Sequence, residues 1–241
     1  MKRPSTVATI ITCEHGGRDV PPAHAARFAG HDALLESHRG WDPGALVLGR
    51  EMASALGVPL HAATVTRLLI DLNRSIGHRQ LFSEITRALV ESERAEIVAN
   101  FYRPHRNEVE GAITSAVHSG TRVVHIASHS FTPNLDGDVR KADVAFLYDP
   151  RRHGERAFAA KWMGALHAIA PSLRLRRNYP YEGKGDGLTA MMRKRHPDAA
   201  YVGIELEVNQ RFFAEGGAAW DTVRADIIAS LRTALSPLEE R

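Results

Sequence analysis

Five short apolar runs stand out along the chain, and each has the length and the β-branched content of a strand. They cover residues 7–13, 65–70, 123–127, 144–148 and 201–208. The first run, VATIITC, is apolar or β-branched at every position. This pattern is typical of an interior strand whose two faces are both covered. The sequence therefore predicts a sheet with largely buried strands.

Helical patterns separate these runs. Apolar residues recur at helical spacing over residues 43–56, 81–117, 151–169 and 220–235. We expect Gly57 to end the first helix and Pro104 to kink the second around Arg103. Leu173 and Leu175 alternate with arginines, which indicates an edge strand. Alternating strands and helices predict an α/β fold, and we expect one domain over residues 1–241.

Four of the apolar runs deliver polar side chains that can do chemistry. Glu14 and His15 follow the first run, Asn73 and Arg74 follow the second, His129 and Ser130 follow the third, and the last contains Glu205 and Glu207. In open α/β sheets, ligands bind just beyond the carboxyl ends of the strands. We therefore expect these residues to form one site, which the glycine-rich loop 178–187 could cover.

Composition narrows the possible partners. The chain has 31 basic and 28 acidic residues, a net charge of +3. This small excess does not indicate a nucleic-acid partner and suits an anionic small molecule equally well. Cys13 is the single cysteine, so no disulfide forms within the chain. The start MKRPSTVATIITCEH has no small-residue cleavage site, and no apolar segment reaches membrane-spanning length. We expect a cytoplasmic protein without a membrane partner.

Two histidines and a carboxylate make the ligand set of an open zinc site, which leaves a fourth position for water. A free carboxylate nearby could take the proton of that water, and Glu205 and Glu207 both qualify because strand alternation points them the same way. Arg74 beside Asn73 could grip a carboxylate through two parallel hydrogen bonds. A serine hydrolase is a weaker hypothesis, because Ser130 lies in no Gly-x-Ser-x-Gly turn.

Six motifs in chain order resemble the N-formylglutamate amidohydrolase family, which is related to zinc carboxypeptidases and aspartoacylase. They are VATIITCEHGGRDVP, HRGWDPGAL, RLLIDLNRS, HIASHSFTP, NYPYEG and VGIELEVNQR. The resemblance implies a three-layer α/β/α fold of the phosphorylase/hydrolase type, related to zinc carboxypeptidases, with a mixed, mostly parallel sheet. It also implies one catalytic Zn²⁺ and hydrolysis of the N-acyl bond of an acidic amino acid.

The resemblance also implies roles for individual residues. His15 and His129 match zinc ligands, and Glu205 matches the general base. Asn73 and Arg74 match contacts to the substrate carboxylate. From the sequence itself we add Arg67 behind them, with Arg177 beside Asn178 as the rival for this role. Further candidate substrate contacts come from the polar residues of the same motifs, namely Ser130, Asn178 and Tyr181.

The third zinc ligand departs from the related enzymes. Carboxypeptidases use a glutamate three residues after the first histidine, and Arg18 occupies that position here. Asp42 opens the corresponding helix, so we predict Asp42 as the ligand, with Glu14 and Asp19 as alternatives. The simplest other role for Asp42, which precedes Pro43, is that of a helix N-cap. The motifs do not choose between N-formylglutamate, another N-acyl amino acid and a short peptide, and a non-catalytic binder of anionic metabolites is the alternative outside enzymes.

Overall fold

The computed structural model describes residues 7–236, and the ends of the predicted domain, 1–6 and 237–241, lie outside them. These residues form a six-stranded sheet and a two-stranded hairpin. The strands are β1 (Val7–Cys13), β2 (Leu60–Ala62), β3 (Arg122–Phe131), β4 (Asn134–Leu135), β5 (Asp138–Val139), β6 (Val144–Leu147), β7 (Leu175–Arg177) and β8 (Tyr201–Asn209). The large sheet has the order β2-β1-β3-β8-β6-β7, and only the β6–β8 pairing is antiparallel.

Helices cover both faces of this sheet. They are α1 (Ala25–Phe28), α2 (Asp32–Glu36), α3 (Ala45–Leu56), α4 (Glu91–Ile97), α5 (Arg103–His118), α6 (His153–Ile169), α7 (Leu188–Arg195), α8 (Arg211–Glu215) and α9 (Gly217–Leu235), preceded by a 3-10 turn at Pro22–His24. One core packs α3, α6 and α9 against the sheet, and another packs α5 and α7 on the opposite face. The predicted three-layer α/β/α fold with a mixed, mostly parallel sheet is confirmed.

Strand alternation sorts the side chains between the two faces. Val124 and Ile126 of β3 pack in the core with α3, whereas Val123 packs in the core with α5 and α7. Full burial of such an aliphatic side chain contributes about 1.5–3 kcal/mol to stability. β1, β3 and β8 run parallel at the centre of the sheet, so their carboxyl ends lie at one edge. That edge holds the candidate site.

The predicted strand over residues 65–70 is wrong. Only Val65 makes a β-bridge, to Asp19, and the rest of the segment forms turns. Leu68, Leu69 and Ile70 are all buried, in a separate core beneath residues 81–102. Consecutive apolar residues fit a segment buried on every side as well as they fit a strand, so periodicity alone does not separate the two.

The predicted helix over residues 81–117 is also too long. Residues 81–90 form turns, and α4 begins only at Glu91. The expected irregularity before Pro104 is present as a π-helical segment, Val98–Tyr102, which leads directly into α5. Proline lacks the N–H that a regular helix would use, which accounts for the irregular hydrogen bonding before Pro104. Among the described residues, no helix combines the length and apolar character needed to cross a membrane.

Candidate metal centre and active site

Three buried side chains converge at the carboxyl edge of the sheet. His15 lies two residues beyond β1, His129 lies within β3, and Asp42 lies in the loop before α3. Asp42 Oδ2 is 3.3 Å from His15 Nδ1 and 2.9 Å from His129 Nδ1. One donor atom from each residue lies within 4.8 Å of the other two, so the three side chains could hold a metal ion.

Asp42 is not a helix N-cap. Gly44 occupies the cap position with φ 85°, in the left-handed region that favours glycine, and α3 begins at Ala45. The backbone of Asp42 is held at both ends, because its N–H donates to the His15 carbonyl (2.9 Å) and its carbonyl accepts from Ala45 N–H (3.1 Å). The carboxylate is therefore free to face the two histidines.

Each histidine faces a second carboxylate with its other ring nitrogen. His15 Nε2 is 2.7 Å from Asp71 Oδ1, and His129 Nε2 is 3.0 Å from Glu14 Oε2. This places Glu14 on the far side of His129 from Asp42, away from the three converging donor atoms. Asp19, the other alternative for the third ligand, is exposed and lies outside the converging group.

The buried charges in this region depend on one another. Burial alone would raise the pKa of Asp42, but His15, His129 and Arg67 outweigh it and hold that pKa well below its usual range. Burial likewise opposes ionisation of Asp71, whose pKa is nevertheless held well down by Arg67 and His15. An ionised carboxylate is stable in such a site only with positive charge beside it.

A cavity of about 530 Å³ opens beside the converging residues. Glu205 and Glu207 of β8 both line it, as strand alternation predicts. Glu205 is half-buried, and its Oε1 accepts a hydrogen bond from Thr189 at the start of α7. Burial raises the pKa of Glu207 to about 8. The nearby His129 lowers this pKa, but its effect is smaller than that of burial. Nothing in the sequence pattern marks Thr189 as the partner of Glu205.

The Asn-Arg pair joins the cavity to the glycine-rich loop. Asn73 Oδ1 accepts from the N–H of Leu188 (2.7 Å), and Arg74 Nη1 donates to the Asp186 carbonyl (2.7 Å). Both residues line the cavity, and Arg74 Nε is buried without a hydrogen-bond partner among residues 7–236. Asn73 and Arg74 thus hold the loop in place while Arg74 keeps an unused donor.

Arg67 lies in the same cavity wall, where Nη2 donates to Asp71 Oδ2 (2.8 Å) and Nη1 donates to Asp42 Oδ1 (3.2 Å). Arg177, the rival for the carboxylate role, is on the edge strand β7 and lines a separate surface depression. The structure therefore brings Arg67 and Arg74 together at the cavity and leaves Arg177 away from it.

The other three candidate contacts differ in position. Ser130 lines the cavity, but its hydroxyl donates to the Pro43 carbonyl (2.8 Å) rather than to an imidazole. Tyr181 also lines the cavity, where Arg140 donates to its hydroxyl (3.1 Å) and stacks 5.1 Å from its ring. Asn178 is not part of the cavity wall. Its side-chain oxygen instead accepts hydrogen bonds from the N–H groups of Tyr148 and Gly183.

Comparison with known proteins identifies the family of the chain. The family model of N-formylglutamate amidohydrolase matches residues 7–214. The chain belongs to the N-formylglutamate amidohydrolase family. It is therefore a hydrolase that acts on amide bonds. No curated protein matches the chain at a significant level.

Two solved structures share the fold of this N-formylglutamate amidohydrolase family member. The gene product Atu2144 from Agrobacterium tumefaciens is 27% identical, with a TM-score of 0.81 over 96% of this chain and 92% of that one. The N-formylglutamate amidohydrolase from Ralstonia eutropha JMP134 is 17% identical, with a TM-score of 0.70 over 95% and 93% of the two chains.

Proposed function

We propose that this protein is a zinc-dependent amidohydrolase that removes the N-acyl group, formyl in the first instance, from an acidic amino acid such as N-formyl-L-glutamate. The observation that carries the proposal is the convergence of His15 Nδ1, His129 Nδ1 and Asp42 Oδ2 beside a cavity that also contains two glutamates and Arg74. The N-formyl substrate is suggested by the family to which the chain belongs.

The three side chains fit a zinc ion. Two imidazole nitrogens and one carboxylate oxygen are typical ligands of an open zinc site. The Asp42 oxygen lies 3.3 and 2.9 Å from the two imidazole nitrogens, and the three donor atoms all lie within 4.8 Å of one another, so one ion could contact all three. Glu14, Asp42 and Asp71 are also buried together, and such a concentration of carboxylates favours a bound cation. His15, Asp42 and His129 would hold the zinc ion, and its Lewis acidity would make a water molecule more acidic and polarise the amide carbonyl.

The remaining chemistry belongs to the protein. Glu205, oriented by Thr189, accepts a proton as the water oxygen forms a bond to the acyl carbon. It then gives that proton to the nitrogen as the C–N bond breaks, so the products are a carboxylic acid and a free amine. Arg67 holds Asp42 and Asp71 in place and adds a positive charge to the cavity wall where oxyanion charge develops.

A substrate panel with metal removal tests the proposal. We expect purified protein to release formate from N-formyl-L-glutamate, to lose activity on treatment with a chelator, and to regain it with Zn²⁺. N-formyl-L-glutamine has the same shape but an uncharged side chain, so slower hydrolysis of this compound would support selection of an acidic substrate. N-acetyl-L-glutamate and a short N-formyl peptide test the acyl group and the chain length. Binding of these compounds without turnover by the zinc-loaded protein would refute the proposal.

Arg74 is proposed to bind the α-carboxylate of the substrate from its place in the cavity wall. Lysine at this position keeps the charge but cannot make two parallel hydrogen bonds, so Arg74→Lys should raise KM with little change in kcat. Loss of a hydrogen bond to a charged group costs about 1.5–3 kcal/mol, which corresponds to an increase of roughly 10-fold or more. Steady-state kinetics with N-formyl-L-glutamate measure the effect.

Two controls separate substrate binding from support of the loop. Arg79→Lys changes an exposed arginine of the same segment outside the cavity wall and should leave KM unchanged. Ser75→Ala removes a hydroxyl that donates to Asp186, so it loosens the same loop without touching the arginine. An equal rise of KM in Ser75→Ala and Arg74→Lys would assign Arg74 to the loop instead of the substrate.

A further inference from the structure

Glu14 is a buried carboxylate that neither the ligand set nor the proposed proton transfer uses. It follows β1 directly and is 0% exposed. Its Oε2 is 3.0 Å from Nε2 of His129, and its Oε1 is 3.8 Å from Nε2 of His105 on α5. Glu14 therefore lies between two imidazole rings, one of which belongs to the candidate metal centre.

These two imidazoles are the partners within reach of the carboxylate. Within the described part of the chain, no group makes a hydrogen bond of good geometry to either oxygen of Glu14. A fully buried carboxylate without a partner is strongly destabilising, so N–H groups on the two ring nitrogens that face it would stabilise it. The 3.0 Å contact brings Nε2 of His129 within reach of this carboxylate, where an N–H on that nitrogen would meet it.

The other histidine of the centre has the same arrangement with better geometry. His15 Nε2 lies 2.7 Å from Asp71 Oδ1, while its Nδ1 faces Asp42. A histidine that binds a metal through one nitrogen generally donates its other N–H to a carboxylate or carbonyl, which fixes the tautomer and the ring orientation. Glu14 occupies for His129 the position that Asp71 occupies for His15.

We propose that Glu14 is a positioning residue for His129: its carboxylate keeps the proton on Nε2, so that the lone pair of Nδ1 faces the metal. His105 on α5 faces the far oxygen of Glu14, with Nε2 at 3.8 Å from Oε1. The inference rests on the metal centre of the proposed function. It assigns Glu14 a role distinct from that of a ligand, although the residue is adjacent to His15 in the sequence.

Zinc affinity measures this role directly. Glu14→Gln is nearly isosteric, but its amide can turn its NH₂ toward Nε2 and stabilise the tautomer that points a proton at the metal. Partners of this kind are worth roughly 10–100-fold in metal affinity. We expect Glu14→Gln to weaken zinc binding by that factor in competition with a chromophoric chelator. In the zinc-loaded protein, ¹⁵N NMR should show an N–H on Nε2 of His129 in the wild type and a shift or loss of that signal in Glu14→Gln.

The matched control is Glu155→Gln, which replaces another glutamate with 0% exposure. Glu155 bonds to Arg193 and backbone N–H groups away from the metal centre, so this variant should lose stability but keep the wild-type zinc affinity. Where Glu14→Gln does not fold, Glu14→Asp keeps the charge but withdraws the carboxylate from His129, and it should weaken zinc binding roughly tenfold.

The outcomes separate this inference from the proposed function. A wild-type protein that binds no zinc would remove the metal centre itself. Wild-type binding together with unchanged zinc affinity and an unchanged Nε2 signal of His129 in the folded Glu14 variant would overturn only the role of Glu14. An equal loss of zinc affinity in Glu155→Gln would show a general effect of losing a buried carboxylate, and it would overturn the inference as well.

Discussion

Purified His129→Ala and His15→Ala are each expected to lose nearly all bound zinc and to show no measurable amide hydrolysis. Each substitution removes one of three donors, and the two that remain cannot enclose the ion. The loss also removes one of the groups that face Glu14 or Asp71, which adds a cost in stability. Metal analysis after dialysis, together with circular dichroism to verify folding, measures the result.

Two further variants accompany this experiment, and one result would contradict the prediction. His118→Ala changes an exposed histidine at the end of α5 and should keep both zinc and activity. Asp42→Asn tests the third donor, and it should bind zinc more weakly than the wild type because a neutral amide oxygen is a poorer ligand. Full metal content in both His15→Ala and His129→Ala would show that the centre is elsewhere.

The central strands could be predicted because sequence pattern and tertiary structure agree there. Residues 7–13 and 201–208 are rich in β-branched and apolar residues and bounded by polar ones. Their position inside the sheet buries residues 10–13 and nearly all of 201–208, whereas Val7 at the start of β1 is exposed. Residues 65–70 carry the same local signal, but they pack against residues 81–102 instead of a neighbouring strand. That packing partner is a long-range property, which a local pattern does not contain.

The site residues also divide into those that a local pattern predicts and those that depend on long-range contacts. Strand ends located His15, His129 and Glu205, because their positions in the sheet decide which edge they share. The family resemblance singled out Asp42, whose carboxylate is freed by a left-handed glycine two residues later rather than used as a cap. Thr189 could not be predicted, because its contact with Glu205 depends on how Asn73 holds the start of α7.

The two glutamates of β8 present the remaining choice for the general base. Both line the cavity on one face of the strand, and their surroundings differ. Glu205 is fixed by the Thr189 hydroxyl, whereas Glu207 has an oxygen without a hydrogen-bond partner among residues 7–236. A base must keep its orientation while it accepts and returns a proton, and an oriented carboxylate does this better than a free one. The resemblance to related enzymes likewise points to the first glutamate of the Glu-Leu-Glu triplet.

Glu205→Gln should therefore lower kcat by roughly 10²–10⁴-fold, the usual effect of removing a general base, while zinc content stays at the wild-type level. Glutamine keeps the shape of the side chain and can still accept the hydrogen bond from Thr189, so KM should change little. Glu207→Gln is the matched variant two residues away, and it should alter KM or thermal stability more than kcat. Steady-state kinetics and metal analysis of both variants decide between the residues. The reverse pattern would mean that the alignment of this strand with the related enzymes is shifted by two residues, and Glu207 would then take the proton.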